Sequence, residues 1–416
     1  MILIPFIYFV CLTFFFWKKE KHWSIGCATS SILVLISFFA ILVDILNLYG
    51  EYGVNIKAYS FPTLLLFCFQ WTITLLPFHY ISKLQLKPID QSKEHLFTLL
   101  TGILIIAAFA SLVSIGNDIV QIISSRDFLS IKNEHYEDLE NRFDDGKRNY
   151  LMVLPLLLMT SSFQVLAMIL SIYIFAFDAK RTVWGIVLLI VSTIGIFQSL
   201  KIAGRSAPIY WVFNFYIIYT LFSQHIAKFI KKRIIIIIGS IAVLIFLLIL
   251  SITLSRFDDG GDNAIKSFIG YAGQHINNFC AVFTYGADSP HTSERIFPLL
   301  NKLFYHHKFS LVEHYGNIEN VLNIIVHNFS TFGAEIYLDL GWTGYILCML
   351  CIALFGILIK YKWQSIEFYK LFILSIYITF YTYGLFAWPF VGHYSTAGIL
   401  LMLITGLLFK YKFKFK

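Results

Sequence analysis

The chain has 416 residues, 58% apolar and 18% aromatic, with only 13% charged. A mean hydropathy of +0.73 excludes an ordinary soluble domain. The formal charge of +8 reflects basic residues between membrane spans and does not point to nucleic acid.

Apolar runs of about 20 residues, each enough to cross ~30 Å of hydrocarbon, recur along the whole length. They predict an all-α polytopic membrane protein with about eleven transmembrane helices, a single domain over 1–416. The spans are 2–17, 26–48, 60–82, 96–123, 150–177, 182–200, 207–228, 234–254, 335–359, 367–386 and 392–410. The first is read as a retained helix, because its lysines follow the apolar run and no small-residue cleavage pattern appears. The connections 18–21, 83–94, 178–181, 228–233, 360–370 and the tail 410–416 hold 19 of the 32 Lys and Arg. By the positive-inside rule these are cytoplasmic, which puts the N-terminus outside and the C-terminus inside.

One external connection, about 255–334, is far longer than the rest. Its 263–284 and 293–305 stretches read as short amphipathic helices able to lie on the membrane surface. Six of the twelve histidines fall in it, at 275, 291, 306, 307, 314 and 327. Five of the six cysteines lie in spans and only Cys280 in a loop, so neither a disulfide framework nor a thiolate metal cluster can be built. The span centres are almost free of charge, which argues against an ion-coupled transporter.

Candidate chemistry therefore concentrates at the external face. Lys201 and Arg205 lie in the short loop 201-KIAGRSAP-208, and Arg256 lies in 256-RFDDG-260, a motif that also occurs at 142–146. Arginine makes bidentate charge-assisted bonds to phosphate oxygens, whereas a snorkelling turn would explain the same residues without function. Arg295 follows Thr292 and Ser293, either of which would cap a short helix; a cation in that first turn is unfavourable unless it meets an anion. In 327-HNFSTFGAEIYLDLGWTGYI-346, Glu335 and Asp339 are four residues apart and share a helix face. Glu335 is read as lying in the head-group zone at little cost and Asp339 as the expensive acid, facing a wet mouth, with Gly341 and Gly344 permitting close helix packing. His327 precedes them as a possible general base, with Asn328 beside it.

These segments resemble the bacterial O-antigen polymerases, the Wzy-type oligosaccharide repeat-unit polymerases. The likeness rests on GRS at 204–206, SRF at 255–257, YAGQHINNF at 271–279, and NFSTFGAEIYLDLGWTG at 328–344, where Leu340 stands in place of the family's usual aromatic residue. The resemblance implies a GT-C-like membrane glycosyltransferase at the periplasmic face of the bacterial inner membrane. It would join repeat units carried on undecaprenyl diphosphate, beside a flippase and a chain-length regulator. Fixed positive charge would stabilise the departing diphosphate, the candidates being Lys201, Arg205, Arg256 and Arg295. His327, Glu335 and Asp339 compete to position the acceptor hydroxyl or take its proton. No cofactor and no metal are expected. Two other readings stand beside it: a polysaccharide ligase of the same broad class, and a lipid-linked oligosaccharide flippase or other transporter.

Overall fold

A computed structural model describes residues 1–125, 161–200, 206–236, 238–240, 243, 247, 261–293, 295–297, 311–326, 330–390 and 393–411. The described chain is helical almost throughout. Its helices are α1 (Leu3–Glu20), α2 (Ile25–Ile45), α3 (Phe61–Ile81), α4 (Glu94–Ser125), α5 (Ser161–Phe177), α6 (Thr182–Val191), α7 (Ile194–Leu200), α8 (Ser206–Phe222), α9 (Gly261–Tyr285), α10 (Leu311–Leu322), α11 (Phe332–Lys362), α12 (Lys370–Gly384) and α13 (His393–Lys410).

Among the described residues, five segments are long and apolar enough to cross a membrane: Ile25–Ile45, Phe61–Ile81, Gln91–Val113, Thr182–Ser199 and Phe332–Lys362. Large apolar side chains such as Ile106, Phe109, Val183 and Leu347 point outward from them. Soluble folds bury such residues, whereas a bilayer solvates them. This is an all-α membrane protein. The expected span 234–254 lies largely outside the described residues; of the others, Ser161–Phe177 and Ser395–Lys410 are apolar but short, and α1 ends in Lys18, Lys19 and Glu20.

The chain divides into two compact units. The first comprises Met1–Gln85, Gly261–Ser365 and Phe380–His393. Here α2 packs on α1 and α9, and α3 packs on α11. The core is aromatic: Trp71 meets Phe332 at 5.5 Å and Tyr381 at 5.6 Å, both edge to face. The buried Tyr381 hydroxyl finds its acceptor in the Thr29 carbonyl at 2.5 Å.

The second unit comprises Leu86–Gly260, Ile366–Thr379 and Tyr394–Lys416. Its centre is α5, buried on nearly every side from Ser162 to Phe175, as expected of a helix that is apolar all round. The predicted span 182–200 is interrupted at Ser192 and Thr193, whose hydroxyls bond back to the Leu189 and Ile190 carbonyls at 2.6 and 2.7 Å. Such back-bonding competes with the helical ladder, so the segment forms α6 and α7 with a turn between them.

The stretch read as an amphipathic surface helix over 263–284 is corrected. It forms α9, but Gln274 through Val282 are all buried. The reason is that its polar side chains are satisfied inside the protein. Asn277 Nδ2 donates to the Asn55 and Ile56 carbonyls at 2.8 and 3.0 Å, and its Oδ1 accepts from the Ala58 N–H at 3.1 Å. Asn278 Oδ1 accepts from the Asn55 N–H at 2.9 Å. Periodicity scores an asparagine as solvent-facing, yet here two of them pair with a backbone segment that has no ladder of its own. Close approach also requires Gly273, because a Cβ there would collide with the Phe39 carbonyl of α2.

Candidate functional site

Helix α11 positions the site, and its backbone is unusual at two points, one just before it and one within it. Thr331, just before it, has φ 81° and ψ 157°, a region that a β-branched residue adopts only under constraint. The constraint is visible: the Ser330 and Thr331 N–H groups both donate to the Phe386 carbonyl, at 3.1 and 3.3 Å. Ten residues on, Gly341 has φ 65° and ψ −165° and breaks the helix. Only glycine adopts that conformation freely, so this residue serves the backbone as well as the close packing expected of it.

The break leaves carbonyls without their i+4 donors, and a strap from the large loop supplies replacements. The Leu338 carbonyl accepts from Ser289 Oγ at 2.6 Å and from His291 Nδ1 at 2.8 Å, and the Asp339 carbonyl accepts from the Ser293 N–H at 3.2 Å. A carbonyl only accepts, so His291 Nδ1 carries the proton, which in that tautomer leaves Nε2 as the acceptor.

The same strap covers the two acids. Asp339 is 1% exposed; its Oδ2 accepts from the Ile296 N–H at 2.8 Å and its Oδ1 from the Thr292 hydroxyl at 3.3 Å. His314 of α10 brings Nε2 to 3.9 Å from Asp339 Oδ1. Glu335 is 2% exposed; its Oε2 pairs with Arg295 Nη2 and accepts from the Trp388 N–H at 2.9 Å. The Arg295 guanidinium also lies 4.6 Å from the centre of the Tyr315 ring. Burial, and then the positive charge of Arg295, hold the His314 imidazole down at about 4, so it faces Asp339 as a neutral ring near pH 7. Burial alone takes His275 to about 3.

Three expectations change. Glu335 does not sit at little cost among head groups but is buried in protein, where its charge requires the guanidinium opposite. Arg295 lies in a turn and is itself 4% exposed, committed to Glu335 instead of being open to an external anion. Asp339 is enclosed by the strap, where a wet mouth was expected. Glu335, Asp339 and Arg295 are nonetheless brought together. Lys201, Arg205, Arg256 and His327 lie outside the described residues.

Sequence reasoning missed the parts played by His291, His314 and Thr292. His291 and His314 were visible only as two of six loop histidines, 23 residues apart with nothing to pair them. Among the described residues, no group of three or more His, Cys, Asp or Glu is arranged to hold a metal ion. No family model, curated protein or solved structure matches the chain.

Proposed function

We propose that this protein is a membrane glycosyltransferase of about eleven spans. It would polymerise undecaprenyl-diphosphate-linked oligosaccharide repeat units into O-antigen or a related surface polysaccharide at the periplasmic face of the bacterial inner membrane. The reading rests on the motif resemblance, and one observation supports it above the rest. A loop-borne arginine and two carboxylates of a membrane helix meet inside one unit, where unpaired charges would each cost several kcal/mol.

In the proposed reaction an acceptor hydroxyl oxygen attacks the anomeric carbon of the donor glycan. The bond from that carbon to the diphosphate oxygen breaks, the diphosphate leaves with the electron pair, and the hydroxyl proton passes to a base. His327, Glu335 and Asp339 compete for the base, and the last two would have to be released from their present partners. Lys201, Arg205 and Arg256 would grip the diphosphate. Arg295, already neutralised by Glu335, would hold the acids in place until substrate separates the pair. A flippase and a chain-length regulator are the expected partners, with no cofactor required.

Purified protein in detergent, supplied with lipid-linked repeat units, should lengthen glycans on the lipid carrier. Transfer to a different acceptor such as lipid A core would favour the ligase reading. Absence of any lengthening by an enzyme whose source membranes do lengthen it would sink the proposal.

A further inference from the structure

Trp342 follows Gly341 directly, where the helix breaks. The side chain is 49% exposed, while its packed side meets Tyr337 at 5.1 Å, Phe283 at 5.4 Å and Tyr345 at 5.9 Å. Phe283 in turn stacks on Tyr337 with centroids 4.5 Å apart. The indole is therefore held rigidly with part of its surface open. His291 lies against the same break: its Nε2 is 3.5 Å from where a Cβ on Gly341 would stand, and its ring centre is 6.4 Å from that of Tyr337. The imidazole is exposed, and its Nδ1 proton is already given to the Leu338 carbonyl.

We infer that Trp342 and His291 form a carbohydrate subsite beside the buried acids, in which a pyranose ring stacks on the open indole and donates a hydroxyl to His291 Nε2; this rests on the glycan-transfer reading above. The chemistry favours a sugar over an acyl chain. An aromatic face carries partial negative charge that attracts the axial C–H groups of a sugar ring. The adjacent acceptor, fixed in one tautomer, suits a hydroxyl and offers nothing to a hydrocarbon. Both groups are pre-oriented by packing and by the strap, which lowers the entropy lost on binding.

The competing role for an exposed tryptophan on a membrane helix is an interfacial anchor. The test uses the full chain and takes the Trp342 fluorescence as the difference between wild type and Trp342→Phe. One probe is the oligosaccharide mixture released by mild acid from the lipid-linked pool of the source bacterium. The other is reconstitution into phosphatidylglycerol and phosphatidylethanolamine vesicles with brominated acyl chains. The subsite predicts a saturable response of Trp342 to the oligosaccharides. His291→Phe should raise the half-saturating concentration about tenfold and His291→Gln, which keeps an acceptor, much less. Trp342→Leu should raise the apparent KM for the lipid-linked acceptor with kcat little changed, and Trp342→Tyr should restore it. Strong bromine quenching with no response to sugar would overturn the subsite. So would lengthening with wild-type KM in both Trp342→Leu and His291→Phe, an outcome that leaves the transfer reading intact. A saturable sugar response without any lengthening would support the subsite and sink the transfer reading instead.

Discussion

Two carboxylate clusters of the first unit solve the same problem in opposite ways. At the end of α2, Asp44 Oδ1 receives Tyr59 OH at 2.5 Å, Tyr49 OH at 2.6 Å and Lys57 Nζ at 2.7 Å. Every donor comes from the next fifteen residues, and the Lys57 side chain is 55% exposed. At the head of α11, Glu335 and Asp339 are buried, and their partners Arg295, Ile296, Thr292 and Trp388 are 40 or more residues away in sequence. The first cluster ties down a local loop in contact with water. The second exists only when separate segments have converged, and its charges cannot be screened. Local, exposed pairing is worth little and tolerates change; distant, buried pairing is unforgiving and is where chemistry can be held.

Removing one partner from the buried cluster should give the largest effect. Arg295→Met leaves Glu335 uncompensated and should cost about 3–5 kcal/mol, read as a loss of thermal stability of the purified protein. Arg295→Met combined with Glu335→Leu should be less damaged than Arg295→Met alone; equal damage would mean the pair is not the source of the cost.

Acid should separate the clusters next. His314 and His275 are held near about 4 and about 3, well under the ordinary ~6.5. The unfolded chain therefore binds their protons first as pH falls. Their contribution is intact above about 6.5 and is lost progressively below it, by up to about 1.4 kcal/mol per pH unit for each ring. His314→Gln should flatten the fall in stability between pH 6.5 and 4, and an unchanged slope would refute the burial of a neutral ring beside Asp339.

Backbone strain gives a third test. Gly341→Ala should destabilise by about 1–3 kcal/mol, because its dihedrals exclude a side chain. Thr331→Gly should move stability the other way by up to about 1 kcal/mol, less the value of the Gln70 contact at 3.4 Å. If both substitutions are neutral, the two dihedral outliers are not constraints.

The smallest effect belongs to the exposed cluster. Lys57→Ala should change stability by less than about 1 kcal/mol, and salt should shrink the difference further.

Membrane character and most helix positions were legible because apolar length is a local property: α2 and α3 fall within a few residues of the predicted spans. The shared face of Glu335 and Asp339 was legible for the same reason, through their four-residue spacing. What faced them was not. The Arg295 turn, the Thr292 hydroxyl and the His314 ring reach the acids through chain reversal, and no periodicity encodes it. The burial of α9 was hidden because asparagine reads as polar whether its partner is water or the Asn55 backbone. Gly341 was noticed but assigned to packing, since a sequence does not display a dihedral angle.

The exchange of hydrogen bonds at Gly341 also bears on where the chain tolerates altered length. Long surface loops ordinarily accept insertions at small entropic cost. Within 289–296, one added residue would put the donors on one side of it out of step with those on the other, so that Ser289, His291, Ser293 and Ile296 could no longer all meet the acceptors on Leu338 and Asp339. This piece of loop is bound to fixed register as firmly as a sheet strand, so an epitope tag or protease site placed there would undo the end of a membrane helix.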